Sequence, residues 1–239
     1  MTVNLNLSDY SVKFRIELAY LTEDRNLLAT LAEDESWEVQ LAVAENNNTP
    51  EDALDKLSYS ENNCIVIAVA ENESTGITTL LRLAKSPLKA VRRAVASNPK
   101  SNEEILKLLA RDSDSEVQGE VVYNPSSSES VLFEVLEKGA PYWVLEGIPE
   151  HPNATAKILG SLFEKCSDSD VMVAILENQK TPATLLEGIL NKYPKLKEEV
   201  LANPNVGMKT ILQLMTDEDC EVRKAARKAR NRKKAEETT

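Results

Sequence analysis

The sequence predicts an all-α solenoid built from short helix pairs. Three observations carry that prediction. One eight-residue pattern recurs about every 26 residues, its apolar sites follow a helical period, and proline or capping residues punctuate most of the copies between or before their helices.

The stretches Val39–Asn46, Ile65–Asn72, Val91–Asn98 and Val117–Asn124 follow one another at a spacing of 26. Val144–His151, Val171–Asn178 and Leu196–Asn203 continue at 27, 27 and 25, and Val222–Ala229 closes the series in degraded form, about eight copies in all. After each of the first seven, apolar residues recur, first at Leu54, Leu80, Leu106, Leu132, Leu159, Leu186 and Ile211, then at Leu57, Leu83, Leu109, Val135, Leu162, Ile189 and Leu214.

With the Asn taken as position zero, the apolar sites fall at −7, −4 and −3, usually with Ala, Val or Leu at −2. That spacing is helical. A strand would need strict alternation, which the charged Arg93, Glu146 and Glu198 at −5 interrupt. The second half of each unit also reads as a helix. Thr49-Pro50 and Thr181-Pro182 place a cap residue before a first-turn proline, and Ser101-Asn-Glu-Glu104 fits a capping box. Between the two helices, Asn98-Pro99, Asn124-Pro125, His151-Pro152 and Asn203-Pro204 end the first, because a residue before proline is pushed out of the α region.

Units such as Leu83–Ala110, containing Val91-Arg-Arg-Ala-Val-Ala-Ser-Asn-Pro99, together with Leu109–Val117, resemble the variant leucine-rich repeat proteins, an all-helical relative of HEAT-type solenoids. The resemblance spans roughly residues 12–230. It implies a right-handed superhelix in which α-helices alternate with short, often 3₁₀, helices. Some members carry an N-terminal iron–sulfur segment rich in cysteine; residues 1–63 here hold no cysteine, so no cofactor is expected. The family brings no general catalytic set. The expected organisation is an N-terminal extension over 1–11, a single repeat domain over 12–230 and a C-terminal tail over 231–239.

Composition narrows the function. Only 7 glycines are present and no phosphate-loop spacing occurs, which counts against nucleotide folds. One histidine, His151, and three dispersed cysteines, Cys64, Cys166 and Cys220, are too few for a His/Cys metal cluster or a histidine-based triad, so neither a metal nor a catalytic residue is expected. Each cysteine is expected to be a small buried apolar residue. The longest apolar run, Cys64–Ala70, is far short of the ~20 residues of a membrane helix, and the polar start lacks a signal peptide, so the expected location is the cytoplasm.

Of the formal net charge of −11, residues 223–239 contribute +6, with 8 Lys+Arg against 2 Asp+Glu, leaving −17 on residues 1–222. So acidic a body repels phosphate backbones, and nucleic acid is not the expected partner. The recurring Asn residues, and His151 in the same slot, are expected to satisfy buried backbone groups between stacked units rather than to bind a peptide.

Positions −8, −5 and −1 fall opposite the core sites. They place Leu41, Ile67, Tyr123, Trp143 and Val173 among acids that include Glu146, Glu150 and Glu177. Large apolar groups set in a charged strip are what a partner site looks like. The expected function is therefore a non-enzymatic protein-interaction scaffold with a basic or amphipathic partner. The alternatives are a HEAT-like nucleic-acid-processing or chromophore-processing enzyme, which needs a basic groove or a catalytic carboxylate in a cleft, and nucleic-acid binding by the basic C-terminal helix, which has no aromatics to stack bases.

Overall fold

The computed structural model describes residues 7–236. Among them every regular element is helical, α throughout except for a 3₁₀ turn at Leu7–Asp9. The chain divides into two compact units, Met1–Ser127 and Ser128–Thr239.

In the first unit the helices are α1 (Val12–Leu21), α2 (Arg25–Leu31), α3 (Trp37–Glu45), α4 (Glu51–Leu57), α5 (Asn63–Glu71), α6 (Ile77–Leu83), α7 (Lys89–Ser97), α8 (Glu103–Ala110) and α9 (Ser115–Tyr123). The odd-numbered helices stack on one another in series, α2, α4 and α8 pack against the helices on either side of them in sequence, and α6 packs on α7. This is the helical-repeat stack that the 26-residue period predicts. The expected core sites are inside: Val39, Val43, Leu54, Ile65, Val69, Leu80, Val91, Val95 and Leu106 are all fully buried. The second helices are short α-helices rather than 3₁₀ helices. A further pair, α1 and α2, precedes the copies visible in the sequence, and it lacks their Asn.

Helices α1, α2, α5, α8 and α9 start after a side-chain oxygen that accepts an orphan backbone N–H. Asn62 caps α5 by accepting from Cys64 at 3.0 Å, and Asp114 caps α9 by accepting from Glu116 at 2.9 Å. The expected caps of the second helices need correction. Pro50, Asn102 and Pro182, not Thr49, Ser101 and Thr181, occupy the cap positions. The hydroxyls point backwards instead: Thr49 donates to the Val43 carbonyl at 2.7 Å, Thr75 to Val69 at 2.6 Å, Ser101 to Val95 at 2.6 Å and Ser127 to Val121 at 2.6 Å. The last turn of each first helix has carbonyls with no intrahelical partner, and a hydroxyl three residues past the Asn reaches one of them.

The second unit contains α10 (Glu129–Lys138), α11 (Tyr142–Leu145), α12 (Gly147–Glu150), α13 (Ala156–Lys165), α14 (Ser169–Glu177), α15 (Ala183–Lys192), α16 (Lys197–Ala202), α17 (Met208–Leu214) and α18 (Cys220–Glu236). Helix α10 ends on Gly139 in the left-handed region at φ 77°, a conformation that side chains with a Cβ disfavour. The copy expected as one helix over Val144–Glu150 is broken at Glu146 into α11 and α12. Pro149 accounts for the break, since it has no N–H to donate to the Leu145 carbonyl and its ring crowds that oxygen.

Only Cys166 is a buried cysteine. Cys64 and Cys220 are exposed, against expectation, because the former stands at the outward position −8 and the latter opens α18. Helix α18, at 17 residues, runs through Glu236, so residues 231–236 continue the last helix. No helix among the described residues is long and apolar enough to cross a membrane.

Candidate interaction site

The recurring Asn is a clasp between repeats. In the first unit the Asn98 amide donates to the carbonyls of Ala70 at 2.7 Å and Asn72 at 3.1 Å, while its oxygen accepts from the N–H of Lys100 at 2.9 Å. Asn72 does the same to Ala44, Asn46 and Ser74, and Asn124 to Ala96, Asn98 and Ser126. Asn46 extends the ladder onto Ala19 and Thr22 of the Asn-less first pair. In the second unit Asn203 reaches Leu176 at 2.6 Å and Asn178 at 3.0 Å, Asn178 reaches Pro149 at 2.5 Å, and His151 accepts through Nδ1 from the Asn153 N–H at 3.0 Å. Each clasping Asn uses both ends of its amide inside the stack, as the capping reading expects.

Beside the ladder runs a set of braces that sequence reasoning missed. At position −6 of α7, Arg92 forks onto Asp112 at 2.6 and 3.0 Å; this carboxylate also accepts from the Asp114 N–H at 2.8 Å, and Gln118, at −6 of α9, donates to the Asp112 carbonyl at 2.9 Å. Arg15, Asp34 and Gln40 repeat the arrangement at 2.7, 3.1 and 2.8 Å. In the second unit Lys197 pairs with Asp217 at 2.7 Å, and Arg223 donates to the Asp217 carbonyl at 2.7 Å. The signal was present as a cation followed 19 or 20 residues later by Asp, but three scattered instances do not stand out among 39 acids. Burial pushes the Asp112 carboxyl up, yet the Arg92 fork and the backbone N–H groups outweigh it and hold it below the ordinary value of 3.8. Lys197 likewise holds Asp217 down.

Outside these braces lies the candidate face. In the first unit Glu38 on α3, and Glu45 and Glu71 at the ends of α3 and α5, are exposed, whereas Leu41 and Ile67 are half-buried between neighbouring helices and Gly119 is buried. The strip is therefore an acidic rim over an apolar floor. The Glu38 carboxyl accepts from the Ser36 hydroxyl at 2.6 Å, which lowers its pKa, and Glu45 accepts from the Tyr20 phenol at 2.6 Å, which raises that of the phenol. None of Glu38, Glu45 and Glu71 has an ion-pair partner among the described residues. Helix α7 differs, because Arg93 occupies −5 and binds Glu120 at 3.0 Å and Glu116 at 3.5 Å. Between these two regimes lies a cavity of about 220 Å³ lined by Ile67, Glu71, Ala90, Ala94, Ser97 and the Arg93–Glu120 pair. Tyr123, one turn past Glu120, is 65% exposed.

In the second unit Trp143 is 41% exposed at the start of α11, next to Tyr142 at 56%, a neighbour that the sequence reasoning passed over. Glu146, Glu150 and Glu177 are exposed and Val173 is half-buried. Helix α14 packs on α12, so Glu150 and Glu177, which share the −1 register, belong to one face.

The basic C-terminal helix is partly committed to structure. Arg232 donates to the carbonyls of Leu201 at 3.1 Å, Ala202 at 3.0 Å and Asn203 at 2.9 Å. Leu201 and Asn203 are the register equivalents of the oxygens an Asn clasps in the other copies. The degraded last copy has Ala229 where that Asn would stand, and its helix continues one turn so that an arginine makes the clasp. Among the described residues no group of three or more His, Cys, Asp or Glu side chains is placed to hold a metal ion.

No family model and no curated protein matches the chain. Several solved structures of engineered or designed proteins are similar to it at low identity. One engineered protein is 15% identical with a TM-score of 0.40, covering 87% of this chain and 78% of its own. A designed armadillo repeat protein in complex with the peptide (KR)4 is 17% identical with a TM-score of 0.23, and a second designed armadillo repeat protein is 16% identical with a TM-score of 0.23, each covering 92% of this chain and 90% of its own. The helical-repeat architecture rests on the packing described above.

Proposed function

We propose that the chain is a non-enzymatic interaction scaffold that binds a basic, amphipathic protein segment on its acidic faces, in keeping with the resemblance to variant leucine-rich repeat proteins. The observation that carries this reading is the cavity between α5 and α7, with an apolar floor at Ile67, Ala90 and Ala94 and an unpaired carboxylate, Glu71, at its rim. A floor of that size accepts one apolar side chain, and the rim acids Glu38, Glu45 and Glu71 complement cationic neighbours in the same segment. The carboxyl pKa values of Glu33, Glu38, Asp112, Asp217 and Glu221 are moved down, towards permanent charge, the opposite of the shift a general acid needs.

The test is fluorescence anisotropy with two labelled helical peptides of equal length and hydropathy, one basic and one acidic. The basic peptide should bind, and Ile67→Asp or Glu71→Lys should weaken it about tenfold or more, the range of a central anchor. Equal binding of both peptides, or no effect of either substitution, removes this face as the site.

A further inference from the structure

Helix α18 spends Arg223 and Arg232 on the carbonyls of its own unit and buries Val222, Ala226 and Ala229 against it. Its other side continues the −5 and −1 register of the acidic faces with the opposite sign, because Lys224 and Lys228 stand at those positions of the last copy. Lys224, Arg227, Lys228, Asn231 and Lys234 are all exposed, and they recur at intervals of three and four, so they form one straight stripe along the helix. Ten residues at ~1.5 Å each give the stripe a length of about 15 Å. Lys224 bonds Glu221 at the first turn, whereas Arg227 and Lys228 make no hydrogen bond or ion pair among the described residues. Within α18 the acids are confined to its ends, Glu221 and Glu236.

We propose that this stripe is a sequence-independent binding surface for the backbone of duplex nucleic acid. The chemistry of the stripe selects that occupant. Helix α18 contains no aromatic residue and no large apolar residue on its outer side, so it has neither an anchor for a protein pocket nor a wedge to enter a lipid surface. Without aromatics it cannot stack unpaired bases either. What it offers is a rigid row of cations, and duplex nucleic acid, with one negative charge per ~1.7 Å of its axis, is the polyanion of highest linear charge density available to match. The acids nearest the stripe are Glu221, which pairs with Lys224 at 2.7 Å, and Glu198 at the matching −5 position of the adjoining α16, whereas charges more than a Debye length of ~8 Å away are largely screened at physiological salt. The total charge that argued against nucleic acid in the sequence is thus the wrong quantity for a helix that presents its cations outward.

The experiment is anisotropy of two labelled DNA duplexes of unrelated sequence, about 20 base pairs each, titrated with the full chain at about 50 and 200 mM salt. Three or four phosphate contacts predict a fall in affinity of roughly 40- to 150-fold between the two conditions, equal for both sequences. Arg227→Glu with Lys228→Glu should abolish binding with unchanged helical circular dichroism. Should that double variant lose helix, Arg227→Gln with Lys228→Gln decides, with an expected loss of about tenfold or more at the lower salt. The proposal is overturned by no binding at about 50 mM salt, by an affinity indifferent to salt or to these substitutions, or by equal retention on vesicles rich in phosphatidylserine.

Discussion

Asn98 donates from its side-chain amide to the backbone carbonyl of Asn72 at 3.1 Å, and Asn72 donates in the same way to that of Asn46 at 3.0 Å. Each link ties the end of one first helix to the end of the next. Because the amide supplies both donors and an acceptor, no other side chain of that size satisfies all three groups. Asn98→Ala removes the side-chain partner of the Ala70 carbonyl and of the Lys100 N–H and one of two donors to the Asn72 carbonyl, which also accepts from the Thr75 N–H at 3.1 Å, at an expected cost of about 2–4 kcal/mol. Asn98→Asp should cost more still at neutral pH, since a carboxylate cannot donate and would face two carbonyl oxygens. Urea unfolding of the two variants checks the order; a less damaging Asp would mean that donation to the carbonyls is not what the clasp contributes.

Leu106 is fully buried on α8, as its place in the repeat predicts. Leu106→Ala should destabilise by roughly 2–5 kcal/mol, and the loss should spread along the stack, because each repeat is held chiefly by its neighbours. A measured change below about 1 kcal/mol in denaturant unfolding would contradict the packing of the second helices.

The repeat, the core face and the role of the Asn were legible because they recur: a residue with the same task in every copy leaves a period. Residues that act in one copy leave none. The break at Glu146 follows from Pro149 alone, and the braces at Arg15, Arg92 and Lys197 appear in non-adjacent copies. The candidate faces were half legible. Register placed Glu71, Tyr123 and Trp143 outward, but the burial of Leu41, Ile67 and Val173 depends on how closely neighbouring first helices approach, and the cations that silence Glu116 and Glu120 come from α7.

Arg232 closes the ladder in the second unit where the last copy has no Asn. Arg232→Met keeps the apolar stem and removes the donors that reach Leu201, Ala202 and Asn203. The expected cost is about 1–3 kcal/mol. Hydrogen exchange should locate it, with faster exchange in α16 and α18 and little change in the first unit. Unchanged protection in α16 would show that the clasp is dispensable there.

Acid should loosen the braces in a defined order of pH. The folded-state pKa values of Asp112 and Asp217 lie below the ordinary 3.8, so these groups contribute stability above that value and lose it as pH falls through the folded values. Thermal unfolding between pH 7 and 5 should therefore show no pH dependence arising from the braces, whose contribution is fully present there, with the loss beginning only below about 4. Asp112→Asn should be less stable at neutral pH and should show a shallower decline below about 4. An equally steep decline would place the acid sensitivity elsewhere.

The candidate faces make the most demanding prediction. A side chain that anchors a partner contributes to binding without contributing comparably to folding, and Tyr123 and Trp143, at 65% and 41% exposure, meet the second condition. With a basic amphipathic peptide as ligand, Tyr123→Ala and Trp143→Ala should each weaken binding by about 1–4 kcal/mol while unfolding midpoints move little. Acids on the same faces act earlier in the encounter, by attraction over distance. Reversing Glu146 and Glu150 to Lys should mainly slow association and flatten its salt dependence, leaving dissociation less affected. Stopped-flow mixing at several salt concentrations separates the two effects. Aromatic variants that bind as tightly as the parent would remove these two residues from the site, and charge reversals that changed only dissociation would show that the acids make close contacts rather than steer.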